Sequence, residues 1–418
     1  MKIDVAQLRP MTKMSREEKA VLDGLGPLAA DPGLHYLVYS ESQEIIEPAL
    51  LYLYATYGHD GRPPVDEEDA PSLASNRAAA YELAEWLRFL LFVKRKWETA
   101  DQQLFCVYAS LLATRVSYQT GRSRKAGTIS HKFSTIFGFY RWTNAARLTD
   151  VRWEPKQIRS GYKRAGRERK RLSDDEIRPF SPPELKKLLA ELGPLPSQRP
   201  NGSTRPCRDR LLFQTGLLTG LRGEEICYLR ARQILRLKPD LDRPNETQAL
   251  LVTVTKGRKK RWVALPNSLI HELKLYIRGE RADAVGKLVD KGGADHNRLF
   301  VNLADHAKAG SSITTKTIHR RTHALMVRLG FTEKDEKIVD GEKVACLRIL
   351  HSFHDTRHTY AINLYLAQRS AGDPKPWETV SVMLGHDHWK TTEEYYLRSV
   401  GLFEPQIGVR LSNYLEDL

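Results

Sequence analysis

Gly161–Arg171 packs six basic side chains into eleven residues and carries almost no apolar surface. Such a run cannot bury enough surface to order itself, so it reads as a linker, and the chain must fold on either side of it. It is either a solvated charge run or a strap across a phosphate backbone, and its composition leaves both readings open. At 418 residues the chain is long enough for two or three domains. The expected division is an N-terminal extension of unknown role over 1–70, a helical unit over 71–155, the basic linker over 156–180, and a mixed α+β domain over 181–418. The fold class expected is mainly α with small β-sheets or hairpins.

Helical periodicity carries the N-terminal half. After the acidic, proline-rich Pro63–Asp69, Tyr81, Ala84, Leu87 and Leu91 recur at spacings of three and four. Further apolar helices are expected over Gln103–Ser117 and over Ser130–Trp142, with Phe133, Ile136, Phe137 and Tyr140 on one face. Beyond the linker, Ser181-Pro182-Pro183-Glu184 has an N-cap serine and first-turn prolines, which start a helix. Leu250–Thr255 and Arg261–Leu265 flank the basic turn Lys256–Lys260 and read as a β-hairpin. A second hairpin is expected over Lys337–Leu347, turning on Asp340-Gly341.

Several functional classes are disfavoured. No apolar run approaches the roughly 20 residues of a membrane span, and Met1-Lys2-Ile3-Asp4 opens no secretory signal. The four cysteines, Cys106, Cys207, Cys227 and Cys346, form no C-x-x-C pair. Buried reduced thiols are therefore expected, and no zinc site. There is no phosphate-binding loop for ATP and no carboxylate cluster for two metal ions, so no cofactor is expected. The net charge of +15 points to a polyanion, nucleic acid first.

Four segments carry residues suited to phosphate chemistry. Thr219-Gly220-Leu221-Arg222 breaks one element and opens a helix with Glu224 and Glu225 in its first turn. Arg222 is placed to grip a phosphate oxygen, or merely to pair with Glu225 on the surface. Lys256, in the tip of the first hairpin, is either a groove contact and proton donor to a leaving alkoxide or a solubility residue. Lys259 and Lys260 are equal rivals by spacing. Ser352–Asp355 resembles a capping box that puts His354 and Arg357 in the first turns of a helix, on one face. A structural histidine paired with Asp355 is the plainer alternative. His386 follows a Leu-Gly turn, and Tyr395 comes nine residues later. A phenol with a pKa near 10 needs a base or nearby cations to attack phosphorus. Tyr396 is the rival, on another face.

These segments, in this order, resemble the tyrosine recombinases, the phage integrase family: Thr219-Gly220-Leu221-Arg222-Gly223-Glu224-Glu225, then Lys256, then His354-Asp355-Thr356-Arg357, Leu384-Gly385-His386 and Tyr395. Gly223 and Thr356 depart from the usual pattern, where a bulkier residue and a leucine are common. The resemblance implies a core-binding domain at 71–155 and a catalytic domain at 181–418. It implies a site-specific recombinase or integrase acting on double-stranded DNA without metal or ATP. Tyr395 would form a 3′-phosphotyrosyl link, Arg222 and Arg357 would bind the non-bridging oxygens, and His386 would hydrogen-bond the phosphate. Lys256 would protonate the leaving 5′-oxygen and His354 would assist Tyr395. A homotetramer on two duplexes is implied, with the tail Leu411–Leu415 docking on a neighbour. A cytoplasmic, nucleoid-associated setting of bacterial, phage or plasmid origin is also implied. Accessory proteins are left open. The alternatives are a type IB topoisomerase-like enzyme and a catalytically silent DNA-binding accessory protein on the same fold.

Overall fold

A computed structural model describes residues 2–7, 34–57, 73–117, 121–124, 126–153, 178–200, 203–253, 260–339 and 341–385. The acidic stretch Pro63–Asp69, the basic run Gly161–Arg171, Lys256 with most of its turn, Asp340, His386, the expected capping box Thr391–Glu394, Tyr395, Tyr396 and the tail lie outside them. The chain divides into two compact units, Met1–Asp175 with Glu336–Ala345, and Glu176–Asp335 with Cys346–Leu418. Among the described residues no helix is long and apolar enough to cross a membrane.

In the first unit, β1 (Ile3–Gln7) pairs antiparallel with β2 (His35–Tyr39), Val5 opposite Leu37. Helices α1 (Glu47–Tyr57), α2 (Leu73–Phe92), α3 (Gln102–Thr114) and α4 (Ala126–Ala145) complete it. Ile3, Leu37, Ile46 and Leu53 share one core with Trp86, Phe105 and Phe139, so the described part of 1–57 packs with the helices. The buried stripe of α2 is Leu83, Trp86, Leu87 and Leu90, an i, i+3, i+4, i+7 set. Tyr81, expected inside, is 46% exposed. The difference follows from Trp86: burying the largest side chain rotates the helix away from the Tyr81 face. The Trp86 ring meets Phe105, Tyr108, Tyr140 and Trp153 at centroid separations of 5.1–6.4 Å. Its Nε1 donates to the Tyr140 hydroxyl at 3.1 Å, which satisfies the buried donor. Helix α3 stops at Thr114, short of Ser117, and starts under Asp101, whose carboxylate accepts the Leu104 N–H. Cys207 and Cys227 are buried as expected, but Cys106 on α3 is exposed, its position facing away from the core, and Cys346 is only half-buried.

In the second unit, α5 (Pro182–Leu192) begins at Ser181, the expected N-cap, and the structure adds a capping box, the Ser181 N–H and hydroxyl both donating to Glu184. Helices α6 (Arg208–Thr219), α7 (Gly223–Tyr228) and α8 (Ala231–Arg236) lead to the hairpin β3 (Thr247–Val252) and β4 (Arg261–Pro266). Leu250 pairs with Val263, and both point into the core. Then come α9 (Asn267–Arg278), α10 (Glu280–Val289), α11 (Thr315–Leu329), the hairpin β5 (Thr332–Val339) and β6 (Glu342–Ile349), whose outer part Glu336–Ala345 counts with the first unit, α12 (Asp355–Ser370) and α13 (Pro376–Leu384). The β5–β6 hairpin is longer than the predicted Lys337–Leu347. Its charged, mostly exposed strands carry no inside–outside alternation from which to read their ends. Phe180, Leu211, Phe213, Ile226, Val263 and Phe353 belong to one core. Helices α12 and α13 join through a smaller cluster in which Tyr365 stacks on Trp377 at 4.1 Å. The fold is mainly helical with small two-stranded sheets, as expected.

Candidate active site

Helix α6 ends where Gly220 turns left-handed at φ +64°. A Cβ there would lie 2.4 Å from Cδ1 of Tyr360, so both backbone and space demand glycine. The chain then runs extended through Arg222, the N-cap of α7. The Arg222 N–H donates to Glu225 Oε2 at 2.8 Å and its Nη1 to Oε1 at 3.1 Å. Glu225 is almost wholly buried, whereas the Arg222 side chain keeps 24% of its surface open. The salt bridge and the accessible guanidinium therefore coexist; the carboxylate aims the arginine without hiding it.

His354 caps α12, and Arg357 follows one turn in. The Ser352 N–H donates to Asp355 Oδ2 at 2.7 Å, the backbone-to-carboxylate half of a capping box. His354 is exposed, while Arg357 is 1% exposed. Arg357 Nη1 donates to the Gly220 carbonyl and Nη2 to the Leu384 carbonyl, each at 2.6 Å. One guanidinium fork thus holds three chain segments together: the turn leading to Arg222, the helix bearing His354, and the end of α13. That helix stops at Gly385, left-handed at φ +67°, directly before His386. Asp355 pairs with His351 and His358, at 3.7 and 3.9 Å, and acts on His354 through its charge. Partial desolvation and the Arg357 and Arg222 guanidinium groups hold the His354 imidazole below its ordinary 6.5, with Asp355 and Glu225 opposing. A neutral imidazole near neutral pH is able to accept a proton.

Arg222, His354 and Arg357 are therefore brought together, and Lys256, His386 and Tyr395 lie outside the described residues. Two residues escaped the sequence reading. Arg261, at the start of β4, donates to Glu225 Oε2 at 2.8 Å. Its signal was its parity with the inward-facing Val263 and Leu265. His351 is buried against Phe180, Nδ1 donating to the Arg178 carbonyl at 3.1 Å and Nε2 facing Glu184 at 3.2 Å. No periodicity marks it. Among the described residues, no group of His, Cys, Asp and Glu is arranged to hold a metal ion.

The phage integrase family model matches residues 181–400. Curated relatives include the tyrosine recombinase XerC of Xanthomonas campestris pv. campestris (strain B100), 26% identical over 222 residues, which are 52% of this chain and 53% of that protein. XerC of Xanthomonas axonopodis pv. citri (strain 306) is likewise 26% identical over 222 residues, 52% of this chain and 56% of that protein. The match thus spans little more than half the length of these relatives. Among solved structures, the XerH site-specific recombinase bound to palindromic difH substrate in a post-cleavage complex is 17% identical, with a TM-score of 0.52. That alignment covers 83% of this chain and 81% of the other, and it shows a shared fold. With the matched model covering more than half of its length, the chain belongs to the phage integrase family.

Proposed function

We propose that the protein is a site-specific DNA recombinase that cuts and rejoins double-stranded DNA through a covalent 3′-phosphotyrosyl intermediate. The observation that carries this reading is the Arg357 fork, which ties the Gly220 turn, the His354 helix and the α13 end to one place. In the proposed reaction the Tyr395 oxygen attacks the scissile phosphorus and the bond to the 5′-oxygen breaks. The tyrosine proton passes to neutral His354, and Lys256 protonates the departing 5′-oxygen. Arg222, Arg357 and His386 meet the charge that grows on the non-bridging oxygens. The phosphodiester energy is kept in the tyrosyl link, so a partner strand's 5′-hydroxyl rejoins it without ATP. Guanidinium, ammonium and imidazole groups supply the charge that metal ions supply in other nucleases, so full activity in EDTA is expected.

Double-stranded DNA is the proposed substrate and a homotetramer on two duplexes the proposed working state, in a DNA-associated, cytoplasmic setting. The 71–155 helical unit is proposed as a core-binding domain and 181–418 as the catalytic domain. The test is trapping on nicked suicide DNA followed by mapping of the linked residue. Tyr395→Phe should abolish the covalent complex and leave duplex binding intact. Loss of the adduct on Tyr396→Phe instead would move the nucleophile by one residue. No adduct with any site would leave the silent accessory reading, and relaxation of supercoils without strand exchange would leave the topoisomerase reading.

A further inference from the structure

We infer that Arg261 is a positioning residue for the reaction, acting through Glu225 on Arg222; the inference rests on the recombinase reading above. Arg261 stands at the foot of β4, five residues after Lys256. Its Nη2 donates to Glu225 Oε2 at 2.8 Å, the oxygen that also receives the Arg222 N–H. Its Nη1 donates to the Met383 carbonyl at 2.5 Å, in the last turn of α13. Its Cδ fills the space beside Gly385, where a Cβ would come within 2.7 Å of it. One side chain therefore links the strand leaving the Lys256 turn, the carboxylate that aims Arg222, and the helix end before His386. It is a second tie parallel to that of Arg357, one residue earlier along α13 and one carboxylate away from Arg222.

Stability alone does not explain this choice. The Arg261 side chain is 10% exposed, and its Nε has no hydrogen-bond partner among the described residues. An unpaired buried donor costs folding free energy, and a buried ion pair is often matched by apolar packing of similar volume. What an apolar residue cannot do is hold a carboxylate and a carbonyl from two other segments in fixed register. Glu225, shared by two guanidinium groups, is the connection through which Arg261 sets the Arg222 fork.

A double-mutant cycle tests this. Single-turnover cleavage of nicked suicide DNA is measured for the full chain and for Arg222→Lys, Arg261→Gln and the double variant, alongside duplex affinity and thermal unfolding. Arg261→Gln should slow cleavage by about tenfold or more, as misplacing a reacting group does, while affinity stays within about twofold. The double variant should be no slower than the slower single variant, because both changes break one linkage. Arg261→Lys should recover only part of the rate, since an ammonium cannot fork to both acceptors; it carries the cycle if Arg261→Gln does not fold. Multiplicative losses, or an Arg261 variant as fast as the parent, overturn the inference and leave the recombinase reading standing. A parent protein that forms no covalent complex overturns both.

Discussion

Arg222 and Arg357 are both arginines of the candidate site, yet their surroundings tie them to the fold differently. Arg357 is buried and closes two carbonyls at 2.6 Å. Its removal leaves both carbonyls unpaired, at about 1–3 kcal/mol for each buried group. Arg357→Ala should therefore lower stability and cleavage together. Arg222 keeps a quarter of its side-chain surface open and leans on a carboxylate that Arg261 also holds. Arg222→Ala should slow cleavage by roughly two to three orders of magnitude while moving the urea midpoint little. Equal effects of the two changes on unfolding would contradict this division. His354 adds a pH signature. Desolvation and the two arginines place its folded pKa below 6.5, so the neutral form should prevail above that value. Cleavage on suicide DNA should accordingly be flat above pH 6.5 and fall as pH drops through the depressed pKa. In His354→Gln that acid limb should vanish, and its persistence would assign the titration to another group.

Two contacts between elements decide whether these residues meet. Helices α6 and α12 cross at Gly216, where a Cβ would lie 2.5 Å from Thr356 Oγ1 and 3.2 Å from Phe353 Cζ. Thr356 donates its hydroxyl to the Phe353 carbonyl at 2.8 Å and is wholly buried. The threonine that departs from the family pattern thus fits a site closed over glycine, where a leucine would need more room. Gly216→Ala should cost about 1–3 kcal/mol by overpacking, measured by urea unfolding, and Thr356→Ala should recover part of that loss in the double variant. The second contact is His351, which clamps the loop before α12 to the start of α5. Its Nδ1 must donate to the Arg178 carbonyl while Nε2 faces the Glu184 carboxylate, a geometry that suits the doubly protonated ring. Burial lowers its pKa, but Asp355 and Glu184 outweigh burial and raise it above 6.5. Glu184 is pushed up by burial but drawn further down by Ser181 and His351, below 4.5. The signs follow from linkage. The His351 contribution is full below pH 6.5 and is lost as pH rises through its raised pKa. The Glu184 contribution is present above 4.5 and is lost as pH falls through its lowered pKa. Stability should thus decline on the alkaline side of 6.5 in the parent, and His351→Gln should remove that slope. The same slope in both proteins would show that the clamp is not its source.

Across the whole molecule, what was legible in the sequence was whatever local chemistry enforces. Ser181 with Pro182 and Glu184 starts a helix by capping alone, and Gly220 and Gly385 end helices because only glycine turns left-handed freely there. Arg222 and Arg357 were legible as motif members, but the Arg357 fork was not, because its acceptors are backbone carbonyls 137 and 27 residues away. Tyr81 was misplaced because spacing alone does not say which of two overlapping stripes wins, and Trp86 decides that by volume. The basic run was legible as charge, and its role belongs to the whole chain. With a net charge of +15, binding to a duplex should release counterions and weaken along a straight line of log affinity against log salt. Each neutralised phosphate contributes about −0.9 to that slope on duplex DNA. If the six basic residues of Gly161–Arg171 each meet a phosphate, replacing all six by serine should make the slope shallower by about 5. The covalent chemistry of the remaining site should persist at saturating DNA, because none of the six belongs to it. A slope unchanged by the replacement would make the run a solvated spacer, and the phosphate contacts would then have to come from the folded units themselves.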